Sequence, residues 1–306
     1  MTIETLSGLF EMSQFMTVVG LIFVINMGLT LAEVILDLTT RKERRWKDTA
    51  ANCAIFVVAQ ILEATAIATI GFFGLLPFYW LTPWEMPMTW WSWALAFLAA
   101  DFTYYWMHRI EHERRVLWAS HSVHHSSQDY NLTVGFRLSW VEGFFEWMFL
   151  IPMILIGFNP FQAIISIVLI AQYQHWIHTE HVSKLGWLDE VFNTPSVHRV
   201  HHGSNGKYLD KNFGGVLMLW DKLFGTFQRE ENAVIYGLTE NIESNNPVTI
   251  NFNEYRNIAC DMTRCRTWQD RFWICFGRLS WRPDYFKNPT TLNTKQDGPT
   301  HECRDR

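Results

Sequence analysis

The chain has 306 residues, of which 49% are hydrophobic and only 18% are charged. An ordinary soluble domain has about 25% charged residues, so this composition favours a membrane protein with a polar, water-facing part. The net charge of −5 leaves no basic surface for nucleic acid, which excludes that class of partner. The five cysteines contain no CxxC pair, which argues against a disulfide framework or a thiolate zinc site.

Five apolar runs follow one another along the chain and predict membrane-spanning helices. The first carries Glu33 as its only charge and exceeds the ~20 residues that a hydrocarbon core requires. The last two are short and could instead form a re-entrant hairpin. We therefore expect an all-α fold, an integral membrane bundle of about four to five transmembrane helices with a cytoplasmic histidine-rich helical cap. The runs cover residues 14–36, 54–76, 89–107, 141–158 and 161–177.

The distribution of charge orients these predicted spans. Residues 41–47 contain five Lys or Arg, and none precedes them, so the positive-inside rule places this loop in the cytoplasm. Alternating spans then return His108 and His178 to the cytoplasmic side. The chain divides into N-terminal transmembrane helices with the basic loop (1–88), a central domain with the histidines (89–228) and a cytoplasmic C-terminal region with a disordered tail (229–306).

Histidine is concentrated in the central domain. Eleven of the 12 histidines lie between His108 and His202, and the other is His301 in the polar tail. Offsets of three and four residues put imidazoles on one face of a helix, where they can share a ligand. The four groups are His108 and His112; His121, His124 and His125; His175, His178 and His181; and His198, His201 and His202.

Such clustering indicates a metal site, because buried imidazoles with no metal or proton to share are costly. The HxxxH box and the two HxxHH boxes supply eight histidines. That number is too large for one ion with an open position and suits two ions with roughly four protein ligands each. Two ions beside a membrane suggest O2 activation at iron, although imidazole also suits zinc, copper and nickel.

Other functions also use histidine-rich membrane sites. A metal transporter would carry acids and histidines inside its spans, whereas these boxes flank the spans. A zinc-dependent hydrolase typically uses one ion, three ligands and a carboxylate base, and the chain has no HExxH motif. A metal-stabilised membrane protein would need fewer ligands. The transporter and the metal-stabilised protein remain the alternatives to an O2-dependent oxidoreductase.

The boxes and their flanking residues resemble the fatty acid hydroxylase/sterol desaturase superfamily of membrane histidine-box di-metal oxygenases. The resemblance covers residues 90–228, so that 89–228 is interpreted as the catalytic domain. The HHSSxDYN stretch and the IHTE segment are most similar to the alkylglycerol monooxygenase branch and its bacterial relatives. The strongest parts lie at 101–109, 112–113, 118–127, 129–133, 176–180, 194–203 and 210–216.

The resemblance implies an oxidoreductase of lipid metabolism, a membrane di-iron hydroxylase, monooxygenase or desaturase that uses O2 on a lipid C–H bond. Zinc could replace iron in purified protein, because it lies above Fe(II) in the affinity order. The chain has no haem, flavin or iron–sulfur motif, so electrons should come from a separate reductase or a reduced pterin. The resemblance implies no catalytic residue beyond the metal ligands, which are His108, His112, His121, His124, His125, His178, His198, His201 and His202.

Further residues are candidates for a supporting role. A metal-bound imidazole usually donates its other N–H to a carboxylate or a carbonyl. His301 lies in the polar tail and is not expected to be a ligand. Candidates for hydrogen bonding to the ligands, or for an extra ligand, are His175, His181, Asp101 and Glu113, with Glu142, Glu146, Asp129 and Glu180 as further nearby acids.

Overall fold

The computed structural model describes residues 3–40, 44–63 and 68–287. Within these ranges the chain forms α-helices and short 3-10 helices and no β-strand, which confirms the all-α prediction. The 3-10 helices are Leu132–Phe136, Trp147–Leu150 and Gly186–Glu190. The α-helices are α1 (Ile3–Thr40), α2 (Trp46–Leu62), α3 (Ala68–Leu81), α4 (Trp90–Glu113), α5 (Arg115–His125), α6 (Gly143–Glu146), α7 (Ile151–Leu155), α8 (Pro160–His175), α9 (Pro195–His201), α10 (Leu219–Phe224), α11 (Pro247–Arg264), α12 (Trp268–Phe276) and α13 (Asp284–Lys287).

Some positions used in the sequence predictions lie outside the described residues. They are positions 41–43 of the basic run, positions 64–67 of the second apolar run, and the tail from position 288 onward with His301.

The predicted spans differ in length from the observed helices. Among the described residues, one segment, Ser13–Thr40 of α1, is long and apolar enough to cross a membrane. The apolar segments Thr69–Leu81 and Gly143–Leu155 are shorter. The run at 141–158 is interrupted by a 3-10 turn before Pro152, which lacks the N–H that a continuous α-helix requires.

Helix α1 turns a polar face toward the rest of the protein. Asn26, Thr30, Glu33 and Asp37 follow one another at intervals of four, three and four residues and therefore share one side of the helix. All four are buried, whereas apolar side chains on the other sides, such as Val24, are exposed. A helix that is polar toward the protein and apolar outward suits a lipid environment.

The polar face of α1 anchors the histidine-bearing part of the chain. Glu33 accepts hydrogen bonds from the backbone N–H of Leu132 at 2.7 Å and from the hydroxyl of Thr179 at 2.6 Å. Asp37 forms a 2.7 Å ion pair with Arg44, whose side chain is almost fully buried. These contacts hold the chain after α5 and the chain after α8 against the same helix.

The apolar core lies where α3, α4, α7 and α8 pack together. Small residues, Ala96 and Ala100 of α4 and Ala163 of α8, are fully buried in it and let the helix axes approach closely. Ile154 of α7 and Ile170 of α8 fill the space between them. This packing positions the end of α4, from which the first histidine box projects.

Arg137 connects α2 to the chain that follows α5. Its guanidinium donates to the carbonyl of Val123 and the hydroxyl of Ser126, both at 2.9 Å. It also donates to Asp48 at 2.9 Å and to Asn52 at 2.7 Å, and only 1% of the residue is exposed. Because Asp48 is also buried, each of the two charges compensates the other in a site that water does not reach.

Replacing Arg137 tests this connection. Arg137→Met leaves the Asp48 carboxylate buried without its cation, which should destabilise the protein by about 3–5 kcal/mol. Arg229→Met is the control, because the Arg229 side chain is largely exposed and solvent screens its pair with Glu190, so the destabilisation should be much smaller. Thermal unfolding in detergent compares the variants. Equal melting temperatures would contradict a structural role for Arg137.

Candidate metal centre

Helix geometry brings the histidine boxes to one region. α4 carries His108 and His112 one turn apart near its C-terminal end. The helix ends at Arg114, whose φ of −108° and ψ of 124° are extended, and the chain turns directly into α5 with the first HxxHH box. α9 carries His198 and His201 of the second HxxHH box, His202 follows directly after α9, and His178 follows α8.

The first cluster contains five histidines from three boxes. One nitrogen of each lies within 4.8 Å of those of the others, so the cluster could hold a metal ion. The Nε2 atom of His121 lies 3.0 Å from that of His108 and 3.2 Å from that of His125. The members are His108, His112, His121, His125 and His201, all buried.

The second cluster contains four histidines, His124, His178, His198 and His202, which meet the same distance limit. The Nε2 atom of His178 lies 3.1 Å from that of His124 and 3.0 Å from that of His198. The Nε2 atoms of His198 and His202 are 3.2 Å apart. Each HxxHH box therefore divides its histidines between the two clusters.

The two clusters adjoin each other. His125 of the first and His202 of the second stack, with ring centroids 4.5 Å apart. Two ions held in the clusters would therefore be close neighbours.

A loop at 210–213 supplies backbone acceptors to the first cluster. The Nδ1 atom of His108 lies 3.0 Å from the carbonyl oxygen of Phe213, and that of His201 lies 2.9 Å from the carbonyl oxygen of Lys211. The loop takes positive φ values of 57° at Asp210 and 59° at Asn212, on either side of Lys211. Because a carbonyl only accepts, both rings carry their proton on Nδ1 and turn an Nε2 lone pair inward.

His178 in the second cluster follows the same pattern. Its Nδ1 atom lies 2.8 Å from the carbonyl oxygen of Gln174, one helical turn earlier. The Nε2 lone pair therefore points into the cluster.

The buried Nε2 atoms of His112 and His201 in the first cluster have no hydrogen-bond partner at all.

A carboxylate orients His121. Its Nδ1 atom lies 3.1 Å from Glu142 and 3.5 Å from Glu111, and both acids are buried. A carboxylate draws the proton to Nδ1, so the Nε2 atoms of His121 and His108 face each other at 3.0 Å with no proton between them. Two lone pairs repel at this distance unless a cation lies between them. The site therefore fits a metal, which binds imidazole at about 2.0–2.1 Å.

The protonation of the clusters also suits metal binding. Burial, followed by the neighbouring imidazoles, holds the pKa of His124, His198 and His202 well below the usual range of histidine. Burial lowers the pKa of His178 and of His201 to about 3. At neutral pH these rings are uncharged, which is the form that ligates a metal.

Two histidines of the third group lie outside both clusters. Thr30 donates its hydroxyl to the carbonyl of Asn26, so His175, whose Nε2 atom is 2.8 Å from Thr30, acts as the donor in that contact. The Nε2 atom of His181 lies 2.8 Å from Asp37. Both rings thus contact α1 rather than the other histidines.

Two of the acids singled out in the sequence, Asp101 and Glu113, lie away from the clustered histidines. Asp101 accepts from the backbone N–H of Val216 at 2.7 Å and from the indole N–H of Trp220 at 2.9 Å, and so holds the chain after the 210–213 loop against α4. Glu113 pairs with Arg109 at 2.9 Å on the same helix. Neither contacts a clustered histidine.

Sequence reasoning missed Glu111 and the backbone acceptors of the loop. Glu111 lies inside the first box, one residue before His112. This position beside a predicted ligand could have identified Glu111 as a candidate partner of the histidines. The carbonyl groups of Lys211 and Phe213 carry no signal, because any residue has a carbonyl group.

Comparisons with known proteins agree with this arrangement. The model of the fatty acid hydroxylase family matches residues 93–226. Alkylglycerol monooxygenase from Homo sapiens is 42% identical over 201 residues, which cover 66% of this chain and 44% of that protein. Alkylglycerol monooxygenase from Xenopus tropicalis is 47% identical over 207 residues, 68% of this chain and 43% of that protein.

A more distant relative is the ornithine lipid hydroxylase OlsE of Rhizobium tropici, 30% identical over 152 residues, 49% of this chain and 44% of that protein. The chain spans less than half the length of the alkylglycerol monooxygenases that it matches. No solved structure matches the chain.

The low histidine pKa values predict how the metal-free protein responds to acid. In the unfolded chain, histidine titrates near a pKa of about 6.5. Between that pH and about 3, where His178 and His201 titrate when folded, the unfolded state binds more protons. Stability should therefore fall as the pH decreases. We expect the melting temperature of chelator-treated protein to drop steadily from about pH 7 to about pH 5; a constant value would contradict neutral buried histidines.

The contact between Glu142 and His121 predicts a second effect. Glu142→Ala removes the acceptor that orients the ring and should weaken metal binding about 10- to 100-fold, as measured by competition with a chelator. Glu113→Ala is the matched control and should leave the affinity unchanged, since Glu113 contacts Arg109 instead. The reverse order of effects would assign the supporting role to Glu113.

Proposed function

We propose that this chain is a membrane oxidoreductase and that it uses O2 to hydroxylate a lipid C–H bond. The premise is that the chain belongs to the fatty acid hydroxylase family. The main observation in favour is the convergence of nine buried histidines in two adjoining clusters. The names of two relatives, an alkylglycerol monooxygenase and an ornithine lipid hydroxylase, support hydroxylation. A third, Delta(7)-sterol 5(6)-desaturase of Candida glabrata, 30% identical over 140 residues, keeps desaturation as the alternative outcome.

The two clusters would hold two iron ions, the first with five histidines and the second with four. When bound, these ions would supply the redox chemistry that activates O2. Hydroxylation places one oxygen atom of O2 in the C–H bond and releases the other as water. It consumes a pair of electrons and a pair of protons, which a separate reductase or a reduced pterin would deliver.

The protein contributes orientation and exclusion of water. The carbonyl groups of Lys211 and Phe213 and the carboxylate of Glu142 hold the rings with their Nε2 atoms inward. All nine rings are buried, so a reactive centre would be shielded from bulk water. A cavity whose wall includes His121 and His124 touches both clusters, and a lipid would reach them through it.

The exposed apolar surface of α1 supports placement in a membrane. We propose that α1 spans the bilayer and that the apolar helices beside it complete a bundle of about four to five spans. The basic run at 41–47 favours a cytoplasmic position for the histidine clusters. The lipid would then enter from the bilayer and the electrons from the cytoplasm.

A histidine-rich metal transporter is the competing function. Transport requires ligands along a path across the membrane, and ions that leave. The observed histidines instead form two compact clusters, which favours retained ions. A metal-stabilised membrane protein would also retain ions but would show no lipid-dependent reaction.

Metal content tests the proposal first. We would express the protein with iron, purify it in detergent without added metal, and count metal ions per chain by mass spectrometry. We expect close to two ions, since each cluster offers at least four nitrogen ligands. The double variant His124→Ala, His201→Ala should lose them, whereas His181→Ala, outside both clusters, should retain them. One ion or none in folded wild-type protein would contradict the di-metal site.

Oxygen consumption tests the reaction. With a reduced pterin or a chemical reductant present, the wild-type protein should take up O2 only when a suitable lipid is added. The double variant should show no lipid-dependent uptake. If the protein retains its metal ions but takes up no O2 with any class of lipid, the metal-stabilised membrane protein becomes the favoured interpretation.

A further inference from the structure

A surface cavity of about 580 Å³ lies where α4 turns into α5, and the chain after α12 forms its other side. Three arginines form part of its wall, Arg114, Arg278 and Arg282. Asp284 is the one acid among the described residues that line it. The cavity is therefore positively charged at neutral pH and attracts an anion.

The backbone holds two of these arginines against each other. Arg114 and Arg278 are directly opposite in an antiparallel bridge. The flanking backbone hydrogen bonds, at 3.2 and 3.0 Å, join the residues on either side of the pair and not the pair itself. In this type of pair the Cα atoms are about 4.5 Å apart and the side chains leave close together on the same side. Like charges in such a position repel and destabilise the pair.

Within the described part of the chain, neither opposed guanidinium group has a hydrogen bond or an ion pair that would offset this repulsion. Arg282 donates to the carbonyl groups of Leu279 and Trp281 at 2.9 and 2.7 Å. It lies 3.8 Å from Asp261, but that carboxylate is already 2.6 Å from the buried Arg115. An anion among the three guanidinium groups would compensate them, and guanidinium binds a phosphate through paired N–H groups.

Aromatic side chains adjoin the arginines. Trp273 and Trp281 form part of the cavity wall, with ring centroids 6.4 Å apart. Trp268, Phe272 and Phe276 follow one another at intervals of four residues and are each more than half exposed, so they form an aromatic ridge along α12. Arginine beside exposed Trp and Phe is typical of a segment that lies on a membrane surface. A free phosphate ion would use the guanidinium groups but would leave this ridge in water.

The length of α4 places the cavity at the level of lipid headgroups. Trp90 and Trp91 at the start of the helix are exposed and suit the aromatic belt of one membrane interface. From Trp90 to Glu113 the helix has 24 residues and is therefore about 36 Å long. A hydrocarbon core is about 30 Å thick, and the headgroups extend the bilayer to about 40–45 Å. With α4 across the bilayer, Arg114 lies among the headgroups of the opposite leaflet.

We infer that this cavity binds the headgroup phosphate of an anionic phospholipid. Arg114, Arg278 and Arg282 hold the phosphate, and the aromatic ridge of α12 enters the acyl region beside it. The inference goes beyond the proposed reaction and takes from the proposed function only the placement of α4 in the bilayer.

A lipid bound here has a consequence for the histidine-bearing part of the chain. On the side of α12 away from the ridge, Ile274 is fully buried together with Ala119 of α5 and Ile258 of α11. Helix α5 carries the first HxxHH box. The bound headgroup therefore holds the packed unit of α5, α11 and α12 on the membrane.

Native mass spectrometry of the metal-loaded full chain in detergent tests the site. The protein would be titrated with dioleoylphosphatidylglycerol or with dioleoylphosphatidylcholine, which has the same chains but no net charge. We expect phosphatidylglycerol to bind more tightly. Equal binding of the two lipids would overturn the inference and would favour an acidic protein as the partner of this surface.

Variants identify the residues responsible. The double variant Arg114→Gln, Arg278→Gln should bind phosphatidylglycerol roughly 10- to 30-fold more weakly, as the loss of two arginines near an anionic surface implies. The control Lys207→Gln, Arg229→Gln also removes two cations, which pair with acids outside the cavity, and should bind like the wild type. Equal affinities of the two double variants would refute the assignment.

Thermal unfolding separates a lost site from a lost fold. Because Arg278→Gln relieves the repulsion between the opposed arginines, it should melt no lower than the wild type when no lipid is added. Phosphatidylglycerol should raise the melting temperature of the wild type and raise that of Arg278→Gln less, because a ligand stabilises the state that binds it. An equal rise in both proteins would contradict binding between these arginines.

Two further comparisons separate a lipid from a soluble phosphate. Glycerol 3-phosphate carries the same charged group without acyl chains, and at equal concentration it should not displace phosphatidylglycerol. The variant Phe272→Ser, Phe276→Ser keeps the arginines and removes part of the ridge, so it should weaken binding of the lipid. Full displacement, or an unchanged affinity in the ridge variant, would assign the cavity to a soluble phosphate and overturn the lipid assignment.

None of these measurements involves turnover. A protein that binds phosphatidylglycerol as expected but oxidises no lipid would contradict the proposed function alone. A protein that oxidises a lipid but does not distinguish phosphatidylglycerol from phosphatidylcholine would contradict this inference alone.

Discussion

Imidazole nitrogens that face one another at 3.0–3.2 Å are the constraint on which the rest of this structure depends. These rings are buried, and the outer nitrogens of His108, His121 and His178 donate to carbonyl or carboxylate oxygens. Their inner lone pairs would repel one another in an otherwise dry site. A pair of bound cations turns that repulsion into ligation. The same contacts therefore link the stability of this region to metal binding.

The clusters depend on contacts well away from the metals. Asp221 accepts from the backbone N–H groups of Phe213 at 2.8 Å and Gly214 at 2.7 Å, and Asp101 holds the next residues against α4. Together they fix the loop whose carbonyl groups orient His108 and His201. Two buried acids outside the site thus determine which nitrogen of these histidines faces inward.

Helix α1 connects the apolar outer surface to the site. Its buried polar face contacts Thr179, one residue after His178, and His175, which lies in the wall of the cavity beside the clusters. Its outward face is apolar. The helix thus supports the chain that carries a candidate ligand. A helix with an apolar outer face is in this way part of the site.

The sequence by itself determined the helical class, the apolar character of α1 and the eight histidines of the HxxxH and HxxHH boxes, because helical offsets of three and four place imidazoles on a common face. It could not separate His178 from His175 and His181, since all three share one spacing and only contacts with α1 distinguish them. The division of each HxxHH box between two clusters was decided by the tertiary structure, because it depends on how α4, α5 and α9 cross. The same holds for the carbonyl acceptors at 211 and 213, which meet His108 and His201 only when distant segments pack.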